Sequence, residues 1–375
     1  MKILHLCSYY IGAKVYKNLF EALASREEIS RQNVFVPIRD MAQVGSNKSE
    51  KSGIELCYIR CLSWTTRVSF LIKVLTLRCV FKRYQFRSKA LELCDVVHAH
   101  TLYSDGYLAY LINRVYGIPY VITVRTTDVS LFEKYLPHWR LLTKEVIRNA
   151  KCLIFLSHAH RKKIEETYKG SLPKITFIPN GIDQYWIRHA LLRKKSSGRS
   201  GKSAIYIGEI TLNKNIESAI QAFFAGQPVG EGRFTVLGGT YQAYRRVYAD
   251  LPCELLSRTI FLERTENKDL IRECLRDSDV LIMPSRMETF GLVYLEAVSQ
   301  CTPVVYSKGQ GIDGLYPEGY IGYSCDPDDP MSVAAAVQQA IEAFPRGIDF
   351  TARAINPVID FSWAGTASKL LDEVY

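Results

Sequence analysis

The sequence predicts an α/β protein made of two doubly wound units, each a parallel sheet covered by helices. Three observations predict it. First, 375 residues suffice for two ordinary domains, each with its own core. Second, short apolar runs alternate with segments of helical periodicity along the first half. Third, the alternation breaks around 184–203, where "RKKSSGRSGKS" is basic, rich in Ser and Gly and without apolar periodicity, and then restarts.

Taken in order, the strands of the first half are "KILHLCSYY", "QNVFVPI", "IELCYIR", "DVVHAH", "PYVITV", "KCLIFLS" and "ITFIPN". Helical patterns at 14–25, 66–93, 105–116, 135–150 and 158–168 lie between them. In the second half the strands are "SAIYIGE", "RFTVLG", "TIFLE", "DVLIMPS", "TPVVYS" and "YIGYSC". Helices are expected near 215–225, 241–250, 268–277, 291–300 and 329–343. This places one domain at 1–182 and a second at 183–359. Two such units in tandem leave a cleft lined by the carboxyl ends of both sheets, where open α/β sheets bind ligands.

Composition narrows the function classes. Hydrophobic residues are 47% and charged residues 23%, the balance of a soluble globular protein. No apolar run reaches the roughly 18 residues of a membrane span. The apolar stretch in "MKILHLCSYYIGAK" is short and lacks a small-residue cleavage site, so it reads as a first buried strand rather than a secretion signal. Ten scattered cysteines, mostly in apolar segments, suit reduced thiols in the cytoplasm. Cys57 and Cys61 lie four apart, but no second ligand pair follows at zinc spacing.

The net charge of +10 is uneven. Residues 1–182 carry 28 Lys and Arg against 14 Asp and Glu, a net of +14, while 183–375 carry 20 against 24, a net of −4. An anionic partner for the first half is implied: nucleic acid, an anionic membrane or an anionic substrate. The stretch 66–93 holds seven cations and one anion around Phe70, Leu71, Val74, Leu75, Val80 and Phe81. It reads either as a basic amphipathic helix on an anionic membrane, or as a helix with its apolar face in the core and its cations in water. No recognition motif accompanies the charge, which argues against nucleic acid.

Two motifs bear on chemistry. "KGQGIDG" (308–314) matches G-x-G-x-x-G, but Pro317 and Gly319 follow where a dinucleotide fingerprint needs a helix. The loop can still wrap a ligand closely. "SDVLIMPSRMETFGLVYLEAVSQCTPVV" (278–305) is more informative. "DVLIMPS" is a buried strand, Glu288 falls in the loop after it, and a helix opens near Thr289–Leu292. Its free N–H groups make a phosphate site. Glu296, about one turn in, sits among apolar neighbours, where an unpaired charge is costly. Both carboxylates suit hydroxyl-rich groups such as ribose and a hexose. The plainer reading, a capping glutamate and a solvated helix residue, fits Glu288 but not Glu296.

"E-T-F-G-L-V-Y-L-E-A" resembles the Glu–seven–Glu motif of the retaining glycosyltransferases of family 4, the group 1 transferases. "FIPNGIDQYW" (177–186), "DVVHAHTLYSDGYLA" (95–109), "IYIGEITLNKNIESAIQAF" (205–223) and "FSWAGTASKLLDEVY" (361–375) extend the resemblance over nearly the whole chain. It implies a GT-B fold of two Rossmann-like domains facing a central cleft, with a terminal helix, about 360–375, crossing back to the first. The second domain would hold a nucleotide-diphosphate sugar, a UDP-sugar being favoured, and the first the acceptor. By the same resemblance, Glu288 meets sugar hydroxyls and Glu296 the ribose. The N–H groups of Phe290, Gly291 and Leu292, with Gly208 nearby, hold the diphosphate, and Lys214 is the donor-phosphate lysine. No metal or other cofactor is implied, because helix dipoles and a lysine take the metal's place.

Departures sharpen the picture. The family often has Gly-Arg-Leu where this chain has Gly208, Glu209 and Ile210. A glutamate facing a diphosphate repels it; Arg264 and Arg286 are the candidate replacement cations. In "VRTTDV" (124–129) Arg125 stands where a histidine is common, binding either the leaving phosphate, an anionic acceptor or Asp128. Cys301 stands where a helix-ending glycine is common. "YYIGAKVY" (9–16) is similar to a shortened glycine loop, whose Gly12 would approach the diphosphate, or is a plain strand-to-helix turn. His100, at the cleft end of its strand, is an acceptor-side candidate beside Asp128; His98 reads as a core histidine.

The expectation is therefore a cytoplasmic retaining glycosyltransferase of bacterial surface-polysaccharide synthesis, peripheral on the inner face of the membrane. Its acceptor would be a glycan or lipid-linked saccharide. Two other readings compete: a nucleotide-sugar-binding protein with little catalysis, motivated by Glu209, and a sugar-nucleotide epimerase on a similar fold.

Overall fold

The computed structural model describes residues 1–88, 94–132, 136–194, 201–228 and 230–375. Residues 89–93 of the expected basic helix, residue 135 of the next, and 195–200 of the linker lie outside the described residues. The chain divides into two compact units. Unit 1 comprises 1–156, 160–181 and 363–375, and unit 2 comprises 157–159 and 182–362.

Unit 1 runs β1 (Lys2–Leu6), α1 (Lys14–Ala24), β2 (Arg31–Ile38), β3 (Ile54–Arg60), α2 (Trp64–Val68), α3 (Phe70–Ser88), β4 (Val96–Ala99), α4 (Ser104–Tyr116), β5 (Tyr120–Val124), α5 (Arg140–Arg148), β6 (Cys152–Phe155), α6 (His158–Thr167) and β7 (Lys174–Phe177). The seven strands form one parallel sheet in the order β3-β2-β1-β4-β5-β6-β7. Strands β1, β4, β5 and β6 are buried on nearly every residue, as parallel strands covered on both faces must be. Loops leave the sheet in opposite directions after β1 and β4, which makes that pair the topological switch point.

The expected helix 66–93 is broken. Ser69 takes extended angles (φ −116°, ψ 115°) and separates α2 from α3. Its hydroxyl accepts from the N–H of Ile72, so it caps α3. On α3, Val74, Leu77, Phe81 and Tyr84 point into the core, where Phe81 and Tyr84 pack on Phe35. Burial of Val74, Leu77 and Phe81 stabilises the helix by about 1.5–3 kcal/mol each, enough to fix that face inward. The other face keeps Leu71, Ile72 and Leu75 exposed, together with Val68 and Trp64 of α2; Trp64 is 74% exposed. Both readings of this segment therefore have a counterpart: one apolar face is in the core and a second is in water.

Unit 2 runs α7 (Gln184–Arg188), β8 (Ser203–Ile207), α8 (Ile216–Ala225), β9 (Arg233–Leu237), α9 (Tyr241–Arg245), α10 (Cys253–Leu256), β10 (Thr259–Leu262), α11 (Lys268–Arg276), β11 (Val280–Met283), α12 (Leu292–Ser299), β12 (Val304–Ser307), β13 (Gly322–Cys325) and α13 (Pro330–Ala343). Its six strands are parallel in the order β10-β9-β8-β11-β12-β13, with the switch point between β8 and β11. Caps fix the helix starts. Asn267 accepts from two N–H groups of α11, and Asp329 caps α13, with Pro330 at its first position. Past the end of α12, Cys301 holds φ 58°, the left-handed conformation a glycine would take at lower cost.

The closing helix α14 (Trp363–Glu373) packs in unit 1, where Leu370 and Val374 join the core beside α1. The Thr366 hydroxyl donates to the Pro179 carbonyl at 3.2 Å, and Thr176 to Glu373 at 2.7 Å. Gly181 lies so close to Trp363 that an added Cβ would meet its nitrogen at 2.6 Å, which demands glycine there.

Candidate active site

In unit 2 the two loops at the switch point are stitched together. After β8 the chain turns through a short 3-10 segment, Leu212–Lys214. After β11 it passes Ser285, Arg286, Met287 and Glu288 before α12 opens. The Asn213 amide donates to the Met287 carbonyl at 2.9 Å, and the Arg286 N–H to the Asn213 carbonyl at 2.8 Å. The Arg286 guanidinium donates to the Leu212 carbonyl at 2.6 Å and to Asp328 at 2.8 Å. These bonds hold Lys214 against Glu288, Nζ to Oε2 at 2.6 Å, with both side chains largely covered.

The glycine-rich loop 308–314 completes this wall. No helix follows it, as Pro317 and Gly319 foretold. Gln310 accepts from the Glu288 N–H at 3.1 Å, and the Gly311 N–H donates to the Glu288 carbonyl at 3.1 Å. Gly311 holds φ 54°, and a Cβ there would sit 3.1 Å from both Glu288 Cγ and the Phe290 carbonyl. Gly291 holds φ 75°, and its Cβ would strike the Tyr294 ring at 2.4 Å. Glycine at 291 thus lets the chain turn into α12. No side chain caps this helix. Among the described residues, none accepts from the N–H groups of Phe290, Gly291 and Leu292. Such a helix start binds anions.

Glu296 lies one turn into α12. Burial pushes its carboxyl up to about 7, and the nearby Asp183 adds to this; the Lys268 charge and a hydrogen bond with Trp186 oppose it. Lys268 itself is ion-paired with Asp183. Glu209 and Arg264 pair with each other at 3.2 Å, both widely exposed. A cavity of about 470 Å³ lies at the other end of this sheet, lined by Lys202, Ser203 and Arg233 at the starts of β8 and β9, far from these ion pairs in the fold.

The unit 1 candidates have a different character. The N–H of Arg125 donates to Asp128 at 2.9 Å. Its guanidinium donates to the His100 carbonyl at 3.2 Å and lies 4.5 Å from the centre of the Tyr16 ring. The expected alternative of an Arg125–Asp128 salt bridge is replaced by a backbone contact. Asp128 is fully buried; desolvation pushes its carboxyl up to about 7 against the pull of N–H donors from Leu102, Arg125 and Tyr103. Gly12 is exposed, and a Cβ there would meet nothing within 4 Å, so packing does not require glycine at this position.

His100 corrects an expectation. Its side chain has no exposed surface, so it offers an acceptor nothing to touch. The register that sets His5 opposite His98 gathers both with His100 on one face of the sheet, beneath Tyr16 and Phe20. Gln32 fixes the order of donors. Its amide N–H donates to the Phe20 carbonyl, leaving its oxygen to accept from His5 at 3.1 Å. His5 Nδ1 must then accept from His100 Nε2 at 3.0 Å. Among the described residues these three histidines form the one group with metal-capable atoms close together. Burial drives all three below their ordinary range, His5 to about 3.

Sequence reasoning missed Asp105, although it stands inside the quoted "TLYSDGYLA". It is buried in the first turn of α4 and accepts from the Ser8 N–H at 3.2 Å and the Ser8 hydroxyl, tying the loop after β1 across the switch point. Asn213, Arg286 and Gln310 were also missed as supports of Lys214 and Glu288. Only the glycine pattern around Gln310 was a signal.

The family profile described as "Glycosyl transferases group 1" matches residues 190–352, and the one described as "Glycosyltransferase Family 4" matches residues 66–184. The chain belongs to the group 1, family 4 glycosyltransferases. This transferase is 28% identical to a glycogen synthase of Mycobacterium tuberculosis over 284 residues, 73% of this chain and 67% of that one. Its fold matches sucrose-phosphate synthase from Thermosynechococcus elongatus at a TM-score of 0.75, with 17% identity, over 99% of this chain and 97% of that one. Anabaena HepE, in complex with UDP-glucose, matches at 0.69 with 17% identity over 99% and 98%. The glycosyltransferase therefore has the GT-B type of fold, with two Rossmann-like parallel sheets.

Proposed function

We propose that this glycosyltransferase is a retaining, metal-independent hexosyltransferase using a nucleotide-diphosphate sugar, a UDP-sugar being favoured. The acceptor is a hydroxyl of a glycan or lipid-linked saccharide, in bacterial surface-polysaccharide synthesis in the cytoplasm. The carrying observation is the Lys214–Glu288 pair beside the uncapped start of α12. A diphosphate takes Lys214 and the N–H groups of Phe290, Gly291 and Leu292. Glu288, released from the lysine, accepts from sugar hydroxyls, and Glu296 accepts from the ribose. The bond from the anomeric carbon to the diphosphate oxygen breaks, and its electron pair leaves with the diphosphate. The acceptor oxygen bonds the same face, and its proton passes to the departing diphosphate. Lys214 and the helix start stabilise the leaving charge, which supplies most of the rate. Unit 1 recognises the acceptor, with Arg125 as its anion-binding group. HepE's complex with UDP-glucose supports the donor class.

The exposed apolar face of α2 and α3, continued by the exposed cations Arg78, Lys82 and Arg83, supports docking on an anionic membrane. Among the described residues, no helix is long and apolar enough to cross one. A thermal-shift panel of UDP-, GDP- and ADP-sugars, with and without EDTA, tests donor class and metal independence. NMR of the product anomer tests retention, and incubation without acceptor tests epimerisation. Glu288→Ala is expected to cut transfer about a hundredfold or more; full activity in that variant would falsify the site.

A further inference from the structure

Glu209 is a negative charge at the mouth of a site read as binding a diphosphate. Its backbone is pinned. Its carbonyl accepts from the Tyr206 hydroxyl at 2.8 Å, and Gly208 before it holds φ 153°, where a Cβ would meet that hydroxyl at 2.9 Å. Only the side chain is free, and its carboxylate takes the Arg264 guanidinium at 3.2 Å.

Arg264 arrives from the loop after β10, two strands away from β8 in the sheet. The strand between them, β9, ends in Gly238 and Gly239. A Cβ on Gly238 would lie 1.8 Å from the Gly208 carbonyl, and one on Gly239 would lie 2.8 Å from Ile210. The β8 and β9 loops therefore meet backbone to backbone, and β9 places no side chain at the crossing that Arg264 makes. Burial pushes the Tyr206 hydroxyl up, and Tyr248, Glu288 and Glu209 add to this electrostatically. Two carboxylate–cation pairs, Glu288–Lys214 and Glu209–Arg264, thus stand on loops at the carboxyl end of this sheet.

The pairs differ in grip. Glu209 and Arg264 are 69% and 70% exposed, against 14% and 22% for Glu288 and Lys214. An exposed pair is held weakly by solvent-screened attraction. A phosphate also offers guanidinium two oxygens for a forked contact, and a diphosphate as a whole carries more charge than one carboxylate.

We infer that Arg264 is a second cation for the diphosphate, and that Glu209 is a positioning residue that holds Arg264 at the mouth until phosphate oxygens replace its carboxylate. The inference rests on the donor reading above.

The rival account is that Arg264 merely neutralises Glu209. A double-mutant cycle separates the two. Dissociation constants for UDP, GDP and ADP, and for the phosphate-free nucleosides, are measured by calorimetry in wild type, Arg264→Ala, Glu209→Gln and the double variant. Loss of a charge-assisted bond to phosphate is expected to weaken the bound diphosphate about tenfold or more on Arg264→Ala. A smaller loss is expected in the Glu209→Gln background, where Arg264 is no longer held at the mouth, with nucleoside binding unchanged and Arg264→Lys recovering part of the affinity. If Arg264→Ala has no effect once Glu209 is Gln, Arg264 does not touch the diphosphate and the inference falls while the donor reading stands. A wild-type protein that binds none of the three diphosphates overturns both. Both side chains are exposed, so an unchanged melting temperature of the free variants checks the fold.

Discussion

The carboxyl ends of the two sheets are built alike and equipped differently. In unit 2, charges on the loops at this end pair through their side chains: Lys214 with Glu288, and Arg264 with Glu209. In unit 1, the corresponding groups are used up internally. Asp105 ties down Ser8, Asp128 accepts from backbone N–H groups, His5 bonds to His100 and Gln32, and His98 bonds to Tyr375 and Thr123. The same topology thus presents side-chain ion pairs, exchangeable under the proposed function, in one unit and buried polar groups in the other. The lesson is that position at a switch point marks where a site can form, while burial decides whether its polar groups are available.

The largest expected effect strikes the exchangeable side. Lys214→Ala is expected to lower kcat about 10²–10³-fold through loss of leaving-group stabilisation, with a small change in melting temperature. A large loss of stability instead would make the pair structural and erase the contrast. On the other side, Asp105→Ala leaves the partly buried Ser8 N–H without its acceptor and is expected to cost about 1–3 kcal/mol of stability by urea unfolding. UDP affinity in that variant is expected to stay near wild type, and a collapse of UDP binding at unchanged stability would reverse the assignment.

Titration sharpens the contrast by sign. The histidines have folded pKa values below the ordinary 6.5, so the unfolded chain binds protons first as pH falls. Their contribution is present above pH 6.5 and is lost below it, down to about 3 for His5, by about 1.4 kcal/mol per pH unit for each group. Glu296 behaves oppositely: raised to about 7 from 4.5, it makes the fold lose stability as pH rises between those values. Asp128 in unit 1, raised to about 7, acts with the sign of Glu296 and against the histidines, so urea unfolding from pH 4 to 8 is compared between variants: His5→Gln is expected to remove a rise of stability with pH, and Glu296→Gln a fall. The smallest effect on the fold is expected for Trp64→Ser, near zero in stability because the indole is exposed. It is expected to weaken cosedimentation with anionic vesicles severalfold, and unchanged binding would remove α2 from the membrane reading.

Much of this was legible in order along the chain. All thirteen strands form on the apolar runs that announce them, β2 and β7 each starting one residue earlier, and α12 opens where the loop after "DVLIMPS" predicts. Glu288, Glu296 and Lys214 stand in motifs of local spacing. The break at Ser69 was missed because an apolar and basic pattern runs through it unbroken, whereas a serine cap acts on a single turn.

By itself, the sequence determined the elements and their alternation, because periodicity and caps act over a few residues. The partners of the charges were decided only by tertiary structure. Lys214 meets Glu288 and Glu209 meets Arg264 across 74 and 55 residues, distances closed by strand order alone. Likewise the register of β1 on β4, which no local pattern encodes, buried His100 and left it with histidine neighbours instead of a substrate.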